Sequence, residues 1–121
     1  MKRNSILYTA LGLVVLLGLM NYMAISLYLY WTIWWFDNVM HFLGGLSLGF
    51  VVLYAFYDSK AVFSCFILVM MLGGVWEVFE YVNGLTISTE SYPLDVVHDL
   101  IADALGAISA ILITKRSQES S

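Results

Sequence analysis

The sequence predicts an all-α polytopic membrane protein: one transmembrane domain over residues 1–121, a four-transmembrane-helix up-down bundle with both termini cytoplasmic. Three observations predict it. Hydrophobic residues make up 61% of the 121 residues and charged ones 12%, where soluble domains carry about 25% charged. Mean hydropathy is +0.85. Four apolar stretches, at about 6–31, 39–57, 61–82 and 96–114, are each long enough at about 1.5 Å per residue to cross a ~30 Å hydrocarbon layer.

Backbone groups in lipid must be satisfied within the segment, so all four stretches are helices. The first follows Lys2-Arg3 and stays apolar through Tyr30. Residues 6–20 followed by Ala24-Ile25-Ser26 also fit a cleavable signal peptide, but the absence of a polar break favours a retained spanning helix. The second segment follows the link 32–38, the third follows Asp58-Ser59-Lys60, and the fourth follows residues 83–95. Short links make consecutive helices antiparallel neighbours.

Orientation follows from the bases. Lys2, Arg3, Lys60, Lys115 and Arg116 all fall at one end of this topology, which the positive-inside rule assigns to the cytoplasm of the plasma (inner) membrane. Trp31, Trp34, Trp35 and Trp76 fall in the other half, as an interfacial aromatic belt requires. The lone Cys65, among Phe63, Phe66 and Ile67, reads as a small apolar residue. No basic run exceeds two residues, so nucleic acid is not an expected partner.

At the end without bases, in or beside the apolar segments, lie six carboxylates, Asp37, Glu77, Glu80, Asp95, Asp99 and Asp103, and both histidines, His41 and His98. On the second segment Asp37 and His41 are four residues apart and share a face with Gly44 and Gly45. Asp37 alone, or Asn38, could be an N-cap. On the third segment Glu77 and Glu80 lie near a helix C-terminus, where the macrodipole disfavours carboxylates, and they repel each other. Capping does not explain them. On the fourth segment Asp95, Asp99 and Asp103 recur every fourth residue with His98 beside them. Asp95 suits an N-cap, whereas Asp103 lies about 12 Å deeper. An ionisable residue that deep marks a functional site.

Small residues accompany these faces: Gly44, Gly45 and Gly49, then Gly73 and Gly74, then Ala102, Gly106 and Ala110. They permit close helix approach, so the polar faces are expected to point at one another, and they also offer a surface for a homo-oligomer. Two carboxylates about 6 Å apart repel by roughly 3 kcal/mol at an effective dielectric near 20. Six cannot all ionise in one pocket without a cation, and no Lys or Arg on that side serves. The expected cofactor is therefore a divalent metal ion. Oxygen donors with imidazole suit Zn, Mn or Fe and also admit Mg or Ca, as one or two ions. The expected ligands are Asp37, His41, Glu77, Glu80, Asp95, His98, Asp99 and Asp103, with Glu80 or Asp103 as a general base.

At these residues the chain resembles the YjdF-like inner-membrane family and, more distantly, VanZ-like membrane proteins. The resemblance rests on Asp37-x-x-x-His41-Phe42 with Gly44 and Gly45, on Trp76-Glu77-x-x-Glu80-Tyr81, and on Asp95-x-x-x-Asp99 followed by Gly106-Ala107. Loop 85–94 lacks the Gln-Gly-Asp stretch associated with that family. The resemblance supports a site and implies no reaction.

Three functions fit. The first is a metal-dependent hydrolase acting on a lipid or other interfacial substrate, with loop 85–94, including Thr86, Ser88, Thr89, Ser91 and Tyr92, covering the site. The second is a divalent-cation or proton binding or transport subunit with Asp103 as relay. The third is a small structural membrane subunit. No Ser or Cys stands at convincing spacing from a base, so covalent catalysis is not expected.

Overall fold

The computed structural model describes residues 1–57, 61–84 and 91–120. It contains the long helices α1 (Arg3–Ser26), α3 (Phe36–Ala55), α4 (Ala61–Val82) and α5 (Tyr92–Glu119), with a single short turn of helix, α2 (Leu29–Thr32), between the first two. All four long helices have the length and apolarity of membrane spans, and there is no strand among the described residues. The chain is an all-α four-helix membrane bundle. Lys60, read as part of the orientation signal, and residues 85–90, read as part of a covering loop, lie outside the described residues.

Helix ends differ from the sequence reading where a local feature overrides hydropathy. The first apolar stretch does not run as one helix to residue 31. Tyr28 takes a left-handed conformation (φ 55°), which breaks the helical hydrogen-bond ladder after Ser26. The chain then folds back so that the Tyr30 hydroxyl donates to Asn21 Oδ1 at 2.7 Å, while its ring packs edge-on against Phe36. Helix α3 starts at Phe36, three residues earlier than hydropathy suggests, with Trp35 as N-cap. Asp37 is thus not a cap. It sits inside the first turn, where the helix dipole favours its charge and its side chain is free to turn inward. The same holds for Asp95: Ser91 is the N-cap of α5 and Pro93 occupies its first turn, where a missing N–H costs nothing. At its other end α5 continues past Lys115 and Arg116 to Glu119.

Helix α3 is the hub. It packs most extensively on α5 and also carries α1 and α4. The apolar core lies toward the end that bears Lys2, Arg3, Lys115 and Arg116, and centres on Ile6, Phe50, Val69, Ala107 and Ile111. Cys65 belongs to it, its thiol directed at the Gly49 carbonyl oxygen 3.6 Å away. Outward faces of the helices are apolar too: Phe63, Val75 and Val82 are largely exposed. A helix surface of that kind fits lipid rather than water.

Two glycines set the α3–α5 distance. A Cβ on Gly45 would collide with the backbone carbonyl of Asp103, and one on Gly106 with the Phe42 carbonyl and the Leu46 amide. Backbone thus meets backbone at this crossing, as small residues allow between membrane helices. Gly49 continues the contact, its added Cβ standing 2.8 Å from that of Ala110.

Two predictions follow from this packing. Gly106→Val and Gly45→Val must separate α3 from α5 and should destabilise by more than the 1–3 kcal/mol, roughly, of ordinary overpacking. Gly12→Ala and Gly74→Ala, where an added Cβ meets nothing within 4 Å, should leave the thermal midpoint in detergent almost unchanged. A second concerns Tyr30 in the α1–α3 turn, whose phenol is pushed up to about 12 by burial, and further by Asp37 and Glu80. The fold favours its neutral form, so its contribution is intact below the ordinary tyrosine value near 10 and declines as pH rises toward 12. Phenolate absorbance titrations of wild type and Tyr30→Phe should differ only at the alkaline end.

Candidate metal centre

The close crossing of α3 and α5, with the C-terminal part of α4 laid against both, gathers acids from three helices around one imidazole. His41 is buried, at 7% exposure, and both of its ring nitrogens face carboxylates. Nδ1 stands 3.3 Å from each oxygen of Asp103. When ionised those oxygens only accept, and Nδ1 is then the donor. On the other side of the ring, Nε2 stands 3.5 Å from Glu77 Oε1, 3.6 Å from Asp99 Oδ2 and 3.8 Å from Asp37 Oδ1. These separations are longer than the 3.3 Å contacts on the Nδ1 side.

Burial is deepest where it costs most. Asp99 is 0% exposed and Glu77 3%, and none of their four carboxylate oxygens has a hydrogen-bond partner among the described residues. Buried carboxylates left without partners are rare because each forfeits its hydration. Glu80 is half-buried at the edge of the cluster and accepts a 2.9 Å hydrogen bond from Trp76 Nε1. One donor atom each from His41, Glu77, Glu80 and Asp99 lies within 4.8 Å of all the others. A second such group, Asp37, Asp95 and Asp99, shares Asp99 with the first.

Six of the eight residues singled out in the sequence therefore form two adjoining groups: His41, Glu77, Glu80 and Asp99, with Asp37 and Asp95. The other two do not belong to either. His98 is exposed. It precedes Asp99 by one residue, a rotation of about 100° around α5, which carries it off the face shared by Asp95, Asp99 and Asp103. Asp103 is buried against the opposite nitrogen of His41, and a Cβ on Gly73 would strike its carboxylate. There it faces Nδ1, on the side of the ring away from Glu77 and Asp99.

A feature not read from the sequence adjoins the cluster. A groove of about 750 Å³ runs between α1 and α4 over α3, and its polar end includes Asp37, His41, Glu80 and Asp103. Only tertiary packing could reveal it, since α1 has no Asp, Glu, Lys or His to mark its place beside the cluster.

No curated protein and no solved structure matches the chain. The comparisons leave the more distant VanZ-like resemblance without support of their own. A family model matches residues 2–120, nearly the whole chain, and the YjdF-like motifs that surround His41 are consistent with it. The chain belongs to the family described as Predicted membrane protein (DUF2238).

Proposed function

We propose that this chain is a membrane metalloprotein that holds a divalent ion between His41 Nε2, Glu77 and Asp99, with Glu80 beside it, and uses it on an interfacial substrate. The observation that carries the reading is the pair of buried, unpartnered carboxylates, Glu77 and Asp99, aimed at the free nitrogen of an imidazole whose other nitrogen is held by Asp103. Carboxylate, histidine and metal in that sequence is the usual way a protein orients an imidazole ligand and makes it more basic. The spacing agrees. Ligand atoms about 2.0–2.1 Å from a tetrahedral ion lie about 3.3–3.4 Å apart, close to the 3.5 and 3.6 Å found from Nε2 to Glu77 and Asp99.

One imidazole among carboxylates suits Zn, Mn or Fe. The group of Asp37, Asp95 and Asp99 offers room for a second ion, with Asp99 between the two. A bound metal supplies Lewis acidity and acidifies a water molecule. This chain's own residues then do the rest: Glu80, at the groove edge, is placed to take a proton, and Asp103 fixes the ring of His41. The positive-inside rule, applied to the Lys- and Arg-bearing end, supports a non-cytoplasmic position for the site. A conduit is disfavoured because the apolar core of Phe50, Val69, Ala107 and Ile111 lies between the cluster and the opposite end.

Elemental analysis of detergent-purified protein tests the site. Wild type should carry stoichiometric metal, and His41→Ala, Glu77→Gln and Asp99→Asn should lose it. Asp103→Asn should weaken affinity by roughly 10- to 100-fold without abolishing it, and His98→Ala should have no effect. Wild type that stays metal-free after incubation with zinc and manganese sinks the reading. Thermal melts give an independent sign. With chelator present, Glu77→Gln should melt above wild type because it removes a buried unpaired charge. With metal present the order should reverse.

A further inference from the structure

The groove beside the cluster has the shape and position of a lipid site. Its walls are Val14 and Leu17 of α1 and Leu72 and Phe79 of α4, with Gly44 of α3 on its floor. Because α1 packs chiefly on α3, the space between α1 and α4 is open sideways, and Val75 and Phe79 at its rim are exposed. Both walls are membrane-spanning helices, so the opening faces hydrocarbon. From Leu72 to Glu80 the groove follows α4 for about 12 Å. Its volume of about 750 Å³ falls inside the range of about 300–1,000 Å³ typical of small-molecule sites. An apolar trough of this kind, open to the bilayer, is filled by an acyl chain.

The polar end decides which lipid. Asp37 and Glu80 line it together with His41 and Asp103, and no Lys or Arg does so among the described residues. This end therefore offers oxygen acceptors and no cationic side chain of its own. An anionic headgroup is repelled there, whereas an ammonium group brings three N–H donors to carboxylate acceptors. We propose that the α1–α4 groove is a lateral entry for an amine-bearing phospholipid, with one acyl chain between Leu17 and Phe79 and the ammonium group at Asp37 and Glu80. This names the substrate class for the metal centre and rests on that reading for what happens to the lipid after it arrives.

Trp76 lines the groove and serves as the reporter. The full chain with Trp31→Phe, Trp34→Phe and Trp35→Phe is placed in phosphatidylcholine vesicles containing chain-brominated phosphatidylethanolamine or, at equal mole fraction, chain-brominated phosphatidylglycerol. Trp76 should be quenched severalfold more by the ethanolamine lipid. Asp37→Asn should erase that preference. Gly44→Leu, which extends into space where an added Cβ meets nothing within 4 Å, should reduce quenching by both lipids. Equal quenching by the two lipids overturns the headgroup assignment. Quenching unaffected by Gly44→Leu overturns the groove, and so does a Trp76 shielded from both lipids, as a second copy seated there would cause. Metal content measured on the same samples separates the two readings: a headgroup preference without metal removes the metal centre alone, and metal without a preference removes the lipid site alone.

Discussion

The backbone-to-backbone crossing of α3 and α5 is the constraint on which the rest depends. Gly45 lies over the Asp103 carbonyl and Gly106 over the Phe42 carbonyl, with no space for a Cβ at either. In lipid there is no gain from hiding apolar side chains from water, so helices hold together by close van der Waals fit and polar contacts. Glycine supplies the first and here creates the second. With the helices this near, Asp103 of α5 reaches Nδ1 of His41 on α3, and one turn closer to the membrane boundary Asp99 faces Nε2. Larger residues at the crossing would move both carboxylates beyond the reach of the ring.

That crossing also explains how the bundle tolerates so many acids. A lone ionised side chain in a membrane helix costs roughly 2.5–3.5 kcal/mol on insertion scales, and Glu77, Asp99 and Asp103 are all buried. They face one another inside the bundle while the outward faces stay apolar, so the cost is concentrated at one place instead of being spread over the lipid surface. Helix α1 stands apart from this arrangement. Its packing on α3 without a matching contact to α4 leaves the groove that leads from hydrocarbon to Asp37 and Glu80. The same bundle is thus tight where acids meet and open where a chain could enter.

Much of this was legible in the sequence because the signals were local. Four apolar stretches gave the bundle, and the repeats Asp37/His41, Glu77/Glu80 and Asp95/Asp99 gave three polar faces, each fixed by helical periodicity alone. Gly45 and Gly106 marked where the faces approach. Less was legible where geometry between helices decides. His98 looked equivalent to Asp99 because only the inward direction of α5 separates them. For Asp103 the depth was visible, and which ring nitrogen it meets was not. The break at Tyr28 was hidden by continuous hydropathy, since a left-handed residue there depends on Tyr30 returning to Asn21 and Phe36. The groove required knowing which helix pair fails to pack.

His41 limits the ways in which the charge at its free nitrogen can be balanced. A proton on Nε2 would make an imidazolium with a single N–H to give on that side, facing oxygens of Glu77, Asp99 and Asp37 at 3.5–3.8 Å, longer than the 3.3 Å contacts at Nδ1. It would offset one negative charge. Protons on the carboxyl groups would instead create O–H donors, and sharing them would bring oxygens to about 2.5–3.0 Å. Yet all four oxygens of Glu77 and Asp99 are without hydrogen-bond partners among the described residues. Proton sharing therefore does not account for why these two side chains turn toward the ring. A divalent cation draws several oxygens and one nitrogen toward a common point without requiring any two of them to touch. It sets neighbours about 3.3–3.4 Å apart at tetrahedral zinc distances and offsets two charges at once. Of the three, the proposed ion is the one that uses both the distances and the unpartnered atoms.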